Sequence, residues 1–350
     1  MGYFTDEELQ SLRIETMILH VVSDEDFEVQ QVRPVEYADF FLDRIKDTDA
    51  AAVFEFNEDS TTKRHLEEIA TGAESFETGA QELSRLFSLL HDGTSRAGAF
   101  FVFELRCDDE HTRLYSLIKY DYQQVIEQSG AGGANLLRMI MQAFVAEKRA
   151  IQKSAIARVT GGVAGAAVSA KDRMAPGIEI ADYFARFLQI KRTRSDEELT
   201  RTVRNLLRAT LDEIRQHLPD RDVARAFRRA QDGLRDREFI SGEVIGEVVV
   251  AAAEAQGNEV VMADIQRRLR RKLSSAKLDG LSFPPDRTVL RRPPLRRVAT
   301  TEGVVVLYPD DADRAIVQRD RSADGSETIT IRTAHVTEDR LVREGSRASH

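Results

Sequence analysis

The chain has 350 residues, 42% hydrophobic and 31% charged, and its 50 Lys and Arg stand against 59 Asp and Glu for a net charge of −9. That length sustains two or three packed domains and that composition is ordinary for a globular chain, which excludes a disordered or fibrous polypeptide. One cysteine, Cys107, excludes an intrachain disulfide and a multi-cysteine zinc site, and the longest apolar runs, 163–170 and 248–253, are too short to cross a bilayer as a helix.

The first ten residues, MGYFTDEELQ, are acidic and have no apolar core, so no secretory signal is expected. A myristoylation pattern fails at Asp6, where Ser or Thr is needed, and the expected location is cytoplasmic. Residues 14–22 alternate as a strand, followed by an acidic turn at Asp24, Glu25 and Asp26. Pro34 opens a predicted helix with Tyr37, Phe40, Phe41 and Ile45 at helical spacing, and 51–56 reads as a short buried strand. Two helices are predicted over 61–70 and 75–90, the second with Leu83, Leu86, Phe87 and Leu90 on one side.

The clearest β signal is a hairpin, 98–106 with 113–120, whose first strand is apolar almost without interruption and therefore central in its sheet. Cys107 follows that strand and reads as a buried, inert thiol. A glycine-containing turn at 129–133 leads to a predicted helix over 136–147, and 152–158 suits another strand. The Gly- and Ala-rich stretch 160–169 is the expected first boundary, as a loop or linker.

Beyond it, Pro176 opens a predicted helix reaching Ile190, with Ile180, Tyr183, Phe184, Phe187 and Leu188 as an aromatic stripe. Ser195 and Glu198 have capping-box spacing for a helix running to about Leu218, and 222–233 and 241–255 fit two more. After a basic segment, 303–307, 314–318 and 328–332 are short β runs between turns, simplest as a small antiparallel meander. The fold class expected is α+β: a mixed α/β sheet domain over 1–160, a helical block over 161–258, and a basic helix with a small β-meander domain over 259–350.

Charge is uneven along this plan. Residues 1–160 hold 29 acids and 16 bases, a balance of −13, whereas 161–350 hold 30 and 34, a balance of +4. Within 265–298 lie eleven bases: Arg267, Arg268, Arg270, Arg271, Lys272, Lys277, Arg287, Arg291, Arg292, Arg296 and Arg297. Only Asp279 and Asp286 oppose them, so this segment carries +9 and the rest of the chain −18.

Met262, Ile265, Leu269 and Leu273 recur at helical spacing, which buries one stripe, turns Arg267, Arg270 and Arg271 outward, and leaves Arg268 and Lys272 flanking. Gly280, Pro284 and Pro285 break that helix, and Arg291, Arg292, Arg296 and Arg297 bracket Pro293 and Pro294 on an expected extended strip. A concentrated positive field on an acidic chain points to a polyphosphate backbone, while a solvated or self-paired helix face is the competing explanation. No groove-reading motif accompanies it, so phosphate contact is expected without base readout.

Catalytic patterns are missing. The glycine clusters lack the Lys and hydroxyl residue of a phosphate-binding loop, and the seven histidines form no HExxH or short ligand pair. The Glu-x-Lys triplet of a common nuclease site is absent, and Ser274 with Lys277 matches Ser-x-x-Lys without its companion motifs. The protein is therefore expected not to be an enzyme, with no metal and no cofactor.

Several segments together resemble the bacterial nucleoid-associated protein family of the NdpA (YejK) type. They are IETMILHVV at 14–22, RAGAFFVFELRC at 96–107 with YSLIKY at 115–120, IQKSAIARV at 151–159, GIEIADYFARFL at 177–188, and FPPDRTVLR at 283–291. Their order, and the Phe-Pro-x-Asp-Arg segment before a β-rich tail, carry the resemblance. It implies association with the nucleoid and with DNA as a binding protein, and it transfers no residue-level site. The eleven bases above are the expected nucleic-acid contacts, from charge alone. Duplex DNA is favoured over single strands, with a protein partner or a homodimer contact for the acidic amino-terminal half. The alternative is a protein-interaction subunit of a DNA-maintenance or anti-phage defence complex, its basic segment docking an acidic protein.

Overall fold

The computed structural model describes residues 2–22, 27–90, 97–121, 150–291, 293, 295–309 and 316–338. The acidic turn at 24–26, the turn at 129–133 and the helix expected over 136–147 lie outside the described residues.

An antiparallel sheet organises the amino-terminal half. Its strands are β1 (Arg13–Val22), β2 (Phe54–Phe56), β3 (Gly98–Arg106), β4 (Thr112–Asp121), β5 (Ile151–Thr160), β6 (Val163–Ala164), β7 (Ala167–Asp172) and β8 (Ile190–Arg192). They stand in the order β1-β3-β4-β5-β7-β2-β8, with β6 paired to the end of β5. Helices α1 (Asp6–Ser11) and α2 (Ala38–Asp47) belong to one side, and α3 (Thr61–Thr71), α4 (Phe76–Leu90) and α5 (Asp182–Leu188) to the other. This double cover explains the apolar run of β3. Phe100 and Val102 enter one core and Phe101, Phe103 and Leu105 the other.

Arg158 ties α1 to the sheet. Its Nε and Nη2 donate to Glu8 at 2.7 and 2.6 Å, and its guanidinium lies 4.7 Å from the Tyr3 ring centre. Burial pushes the Tyr3 hydroxyl up to about 12, opposed by that guanidinium.

The helical block comprises α6 (Asp196–Glu213), α7 (Val223–Arg235), α8 (Gly242–Ala252), α9 (Glu259–Ser275) and α10 (Arg287–Arg291). The Ser195–Glu198 capping box forms as the spacing predicts. Asp222, Ser241 and Asn258 cap the next three helices with their side chains. One apolar cluster runs from Phe100 and Tyr115 of the sheet through Phe184 and Phe187 to Leu211, Leu234, Val249 and Leu269. It crosses both boundaries drawn from the sequence, at 160/161 and 258/259.

Several expectations are corrected. The 160–169 stretch is no linker, because β6 and β7 carry it into the sheet, with Ala164 and Val168 buried in its core. Pro176 does not start a helix. Asp172 instead accepts the Met174 and Ala181 backbone N–H groups at 2.9 and 2.8 Å, and α5 begins at Asp182. Helix α6 ends at Glu213 and not near Leu218, giving way to 3-10 turns at 215–217 and 219–221. The stripe on α5 and the α2 residue Phe41 are buried, Phe40 is half-buried, and Tyr37 at the start of α2 is exposed.

The small antiparallel β region expected near the carboxy-terminal end is present. Two hairpins, β11 (Leu295–Ala299) with β12 (Val305–Pro309) and β13 (Val317–Arg321) with β14 (Glu327–Ile331), each form their own two-stranded sheet. They share a small core of Tyr308 and Val317, flanked by Val298, Val306 and Ile329. A further short pair joins β9 (Ile240–Ser241) to β10 (Ser282–Phe283). Beside it Gly280, at φ +67°, presses its backbone on the 49–50 segment: an added Cβ would lie 2.7 Å from the Asp49 carbonyl oxygen. Ala51 N–H donates to the Asp279 carbonyl at 2.8 Å, fastening the end of the basic helix to the sheet side.

Candidate nucleic-acid interface

Helix α9 forms as its apolar stripe dictates. Asn258 accepts from the Val261 N–H at 3.2 Å, Ile265, Leu269 and Leu273 are buried, and Met262 packs half-buried beside them. The basic residues are thereby turned away from the core, into two different environments.

Four of them meet the chain's own carboxylates. Arg268 donates to Asp264 at 2.7 Å and to Glu213, the last residue of α6, at 2.6 Å. Arg271 and Lys272 reach the same Glu213 at 3.0 and 2.9 Å, and Arg267 pairs with Asp264. Lys272 and then Arg268 hold the Glu213 carboxyl below its usual range by hydrogen bonding, and Arg268 does the same for Asp264. The competing explanation thus holds in part. Still, four cations share two carboxylates, and the Arg267 and Arg271 side chains remain 78% and 70% exposed against 27% and 24% for Arg268 and Lys272.

Arg270 is exposed and makes no ion pair among the described residues. Together with Arg267 and Arg271 it lines a groove of about 790 Å³, bounded opposite by Asp6 and Leu9 of α1 and by Asp279. Lys277, Arg287, Arg291 and Arg297 are likewise exposed without a side-chain ion pair among the described residues. Arg287 and Arg291 sit at the ends of α10. Of the expected extended strip only its first residue, Arg291, is helical, because Val289 and Leu290 anchor α10 in the helical block, whereas 295–299 is extended as β11. Arg296 and Arg297 lie on β11, and Arg292 falls outside the described residues.

A second basic site escaped the sequence reading. A cleft of about 660 Å³ opens between α6, the 3-10 turns, the start of α7 and β11, lined by Arg208, Arg215, Arg221 and Arg296. Its acids are committed: Asp212 to Arg215 at 2.5 Å, and Asp222 to the Arg225 N–H at 3.0 Å as the cap of α7. Arg208 and Arg221 are exposed and have no ion pair among the described residues. Asp220 and Arg221 both hold φ near +53°, so the turn presenting Arg221 is strained. Val223, Ala224, Phe227 and Leu295 give the cleft an apolar wall. Arg204 lies 5.6 Å from the Phe227 ring centre and donates to the Pro293 carbonyl at 3.2 Å, tying α6 to the segment entering β11.

The signal for this cleft was in the sequence as Arg208 near the end of α6 and Arg215 seven residues on, in the first 3-10 turn. The two sites adjoin at one point of the chain, since Asp212 lines the cleft and Glu213 grips α9. Each offers guanidinium groups in excess over carboxylates, an arrangement that binds phosphate or carboxylate anions. No protein-family model matches this chain, and no curated protein matches it.

Proposed function

We propose that this is a non-catalytic DNA-binding accessory protein of the bacterial nucleoid, meeting phosphates with arginines on both sides of the end of α6. The observation that carries the reading is the cleft where Arg208, Arg215, Arg221 and Arg296 outnumber two acids, Asp212 pairing with Arg215 within it and Asp222 capping α7. The exposed Arg267, Arg270 and Arg271 extend the positive surface onto α9. Net charge of −9 argues for local contact and against coating of DNA along its length.

Salt titration tests this. Affinity for a short duplex should fall steeply with salt, and the slope should shrink by about one unit for each phosphate contact removed. Arg208→Ala/Arg221→Ala and Arg267→Ala/Arg271→Ala should each lower it, with duplex bound more tightly than single strands. Slopes equal to wild type in both variants would reject the surface.

A second reading has its own support. Arg268, Arg271 and Lys272 already converge on a carboxylate, Glu213, so the same face suits an acidic protein surface. In that reading the chain is an interaction subunit of a DNA-maintenance or defence complex. An acidic polypeptide would then compete with the duplex at low salt, and binding of that polypeptide alone would favour this reading.

A further inference from the structure

His65, Glu68 and Glu74 bring one imidazole and two carboxylates to a common point outside the basic surface. Nδ1 of His65 lies 3.1 Å from Glu74 Oε2 and 3.7 Å from Glu68 Oε2, and all three donor atoms fall within 4.8 Å of one another. The sequence shows no short histidine pair here, because the third donor comes from beyond the helix end.

Local structure explains the convergence. His65 and Glu68 are one turn apart on α3, so they share a face. Gly72, at φ +75°, ends that helix in the left-handed conformation, and the Glu74 N–H donates to the Glu68 carbonyl at 3.1 Å. The chain therefore doubles back and sets Glu74 against His65. On α4 opposite, residue 79 is glycine, and a Cβ there would come within 2.5 Å of Ile69 and 2.9 Å of Glu74 Oε2. A helix-interior glycine costs about 1 kcal/mol relative to alanine, and here it leaves room for that carboxylate.

The charge pattern is the second observation. Some half-buried or buried carboxylates are held by arginine, as Glu8 is by Arg158 and Glu213 by Arg268, and others by backbone N–H groups, as Asp49 is by Tyr3 and Phe4. The Glu74 side chain is 18% exposed, and among the described residues no Lys or Arg pairs with it. Glu68 meets Arg64 only at 3.9 Å. Both carboxylates thus converge on the His65 ring, and among the described residues no Lys or Arg reaches Glu74.

We infer that His65 Nδ1, Glu68 and Glu74 form a binding site for a divalent transition-metal ion of the zinc class, with water completing the shell. Donors about 2.0–2.2 Å from a tetrahedral ion stand roughly 3.3–3.6 Å apart, and the two separations from the imidazole bracket that range. An imidazole with two carboxylates selects such an ion over magnesium, which prefers all-oxygen octahedral sites. The ion would clamp the turn between α3 and α4.

The test uses the full chain without a polyhistidine tag, stripped of metal and titrated with zinc chloride and magnesium chloride in a calorimeter. Cobalt(II) chloride serves as a spectroscopic probe. One equivalent of zinc should bind, magnesium should not compete, and cobalt should show the visible absorption of a low-coordinate site. His65→Gln and Glu74→Gln should each weaken zinc at least tenfold with unchanged circular dichroism, and Glu68→Gln, at a more exposed position, checks the third donor independently. Absence of saturable zinc binding by wild type, or equal binding by His65→Gln and Glu74→Gln, would overturn the inference.

Discussion

Arg268 Nη1 lies 2.6 Å from Glu213 Oε1, joining the basic helix α9 to the end of α6. The same carboxylate also serves Arg271 and Lys272, so one acid restrains three cations. Glu213→Gln should release them. Duplex DNA should bind more tightly with a steeper salt slope, and the melting temperature should fall slightly; an unchanged slope would show that these cations never meet phosphate.

Acid should act on the same contact. Glu213 and Asp264 are held below their usual carboxyl range in the folded chain, so their contribution is present above the unfolded-state carboxyl values and lost as pH falls through the folded ones. Hydrogen exchange along α9 should quicken as pH falls through that acidic window, and less so in Glu213→Gln.

Leu269 is 3% exposed on the stripe that anchors α9. Leu269→Ala should cost about 2–5 kcal/mol in urea unfolding. A loss below about 1 kcal/mol would mean that the helix is not seated in the shared core.

Asp172 accepts from Lys153 Nζ at 2.5 Å and from two backbone N–H groups, with its side chain fully buried. Asp172→Ala strands a buried ammonium and both N–H groups, and should destabilise by about 3–5 kcal/mol. Lys153→Met retains the backbone bonds and should cost less. The reverse order in equilibrium unfolding would contradict this assignment.

His20 is fully buried, accepts the Gln30 N–H at Nε2 at 3.1 Å, and stacks on Phe27. Among the described residues its Nδ1 has no hydrogen-bond partner, and burial pushes the imidazole down from 6.5 to about 4. The unfolded state therefore takes up a proton first. Stability should be full above about pH 6.5 and decline by up to about 3 kcal/mol as pH falls to about 4. His20→Gln keeps an acceptor for Gln30 and should flatten that slope by about one proton; an unaltered pH profile would show that another group controls it.

The sequence carried the local structure well where one period dominated. The β3 run, the Ser195–Glu198 cap and the α9 stripe are visible because packing and hydrogen bonding there follow spacing along the chain. Strands β6 and β7 were hidden because Gly161, Gly162 and the alanines look like a linker, whereas their pairing depends on β5. The basic surface was legible as charge, but Glu213, 55 residues before Arg268, could not be matched to it without the fold. The cleft was missed for the same reason. Arg208 and Arg221 come together with Arg296 only when β11 folds back against α6.

Gly280 and the bond from Ala51 N–H to the Asp279 carbonyl fix the chain just past α9, and Glu213 grips one turn of the helix at 268–272. The helix thus behaves as a beam held at more than one point, not as an arm that swings. An incoming polyanion would find its guanidinium groups already spaced, and association would give up little conformational freedom of the backbone. Substituting a bulkier residue at Gly280 should therefore disturb the far side of that helix without altering a single charge.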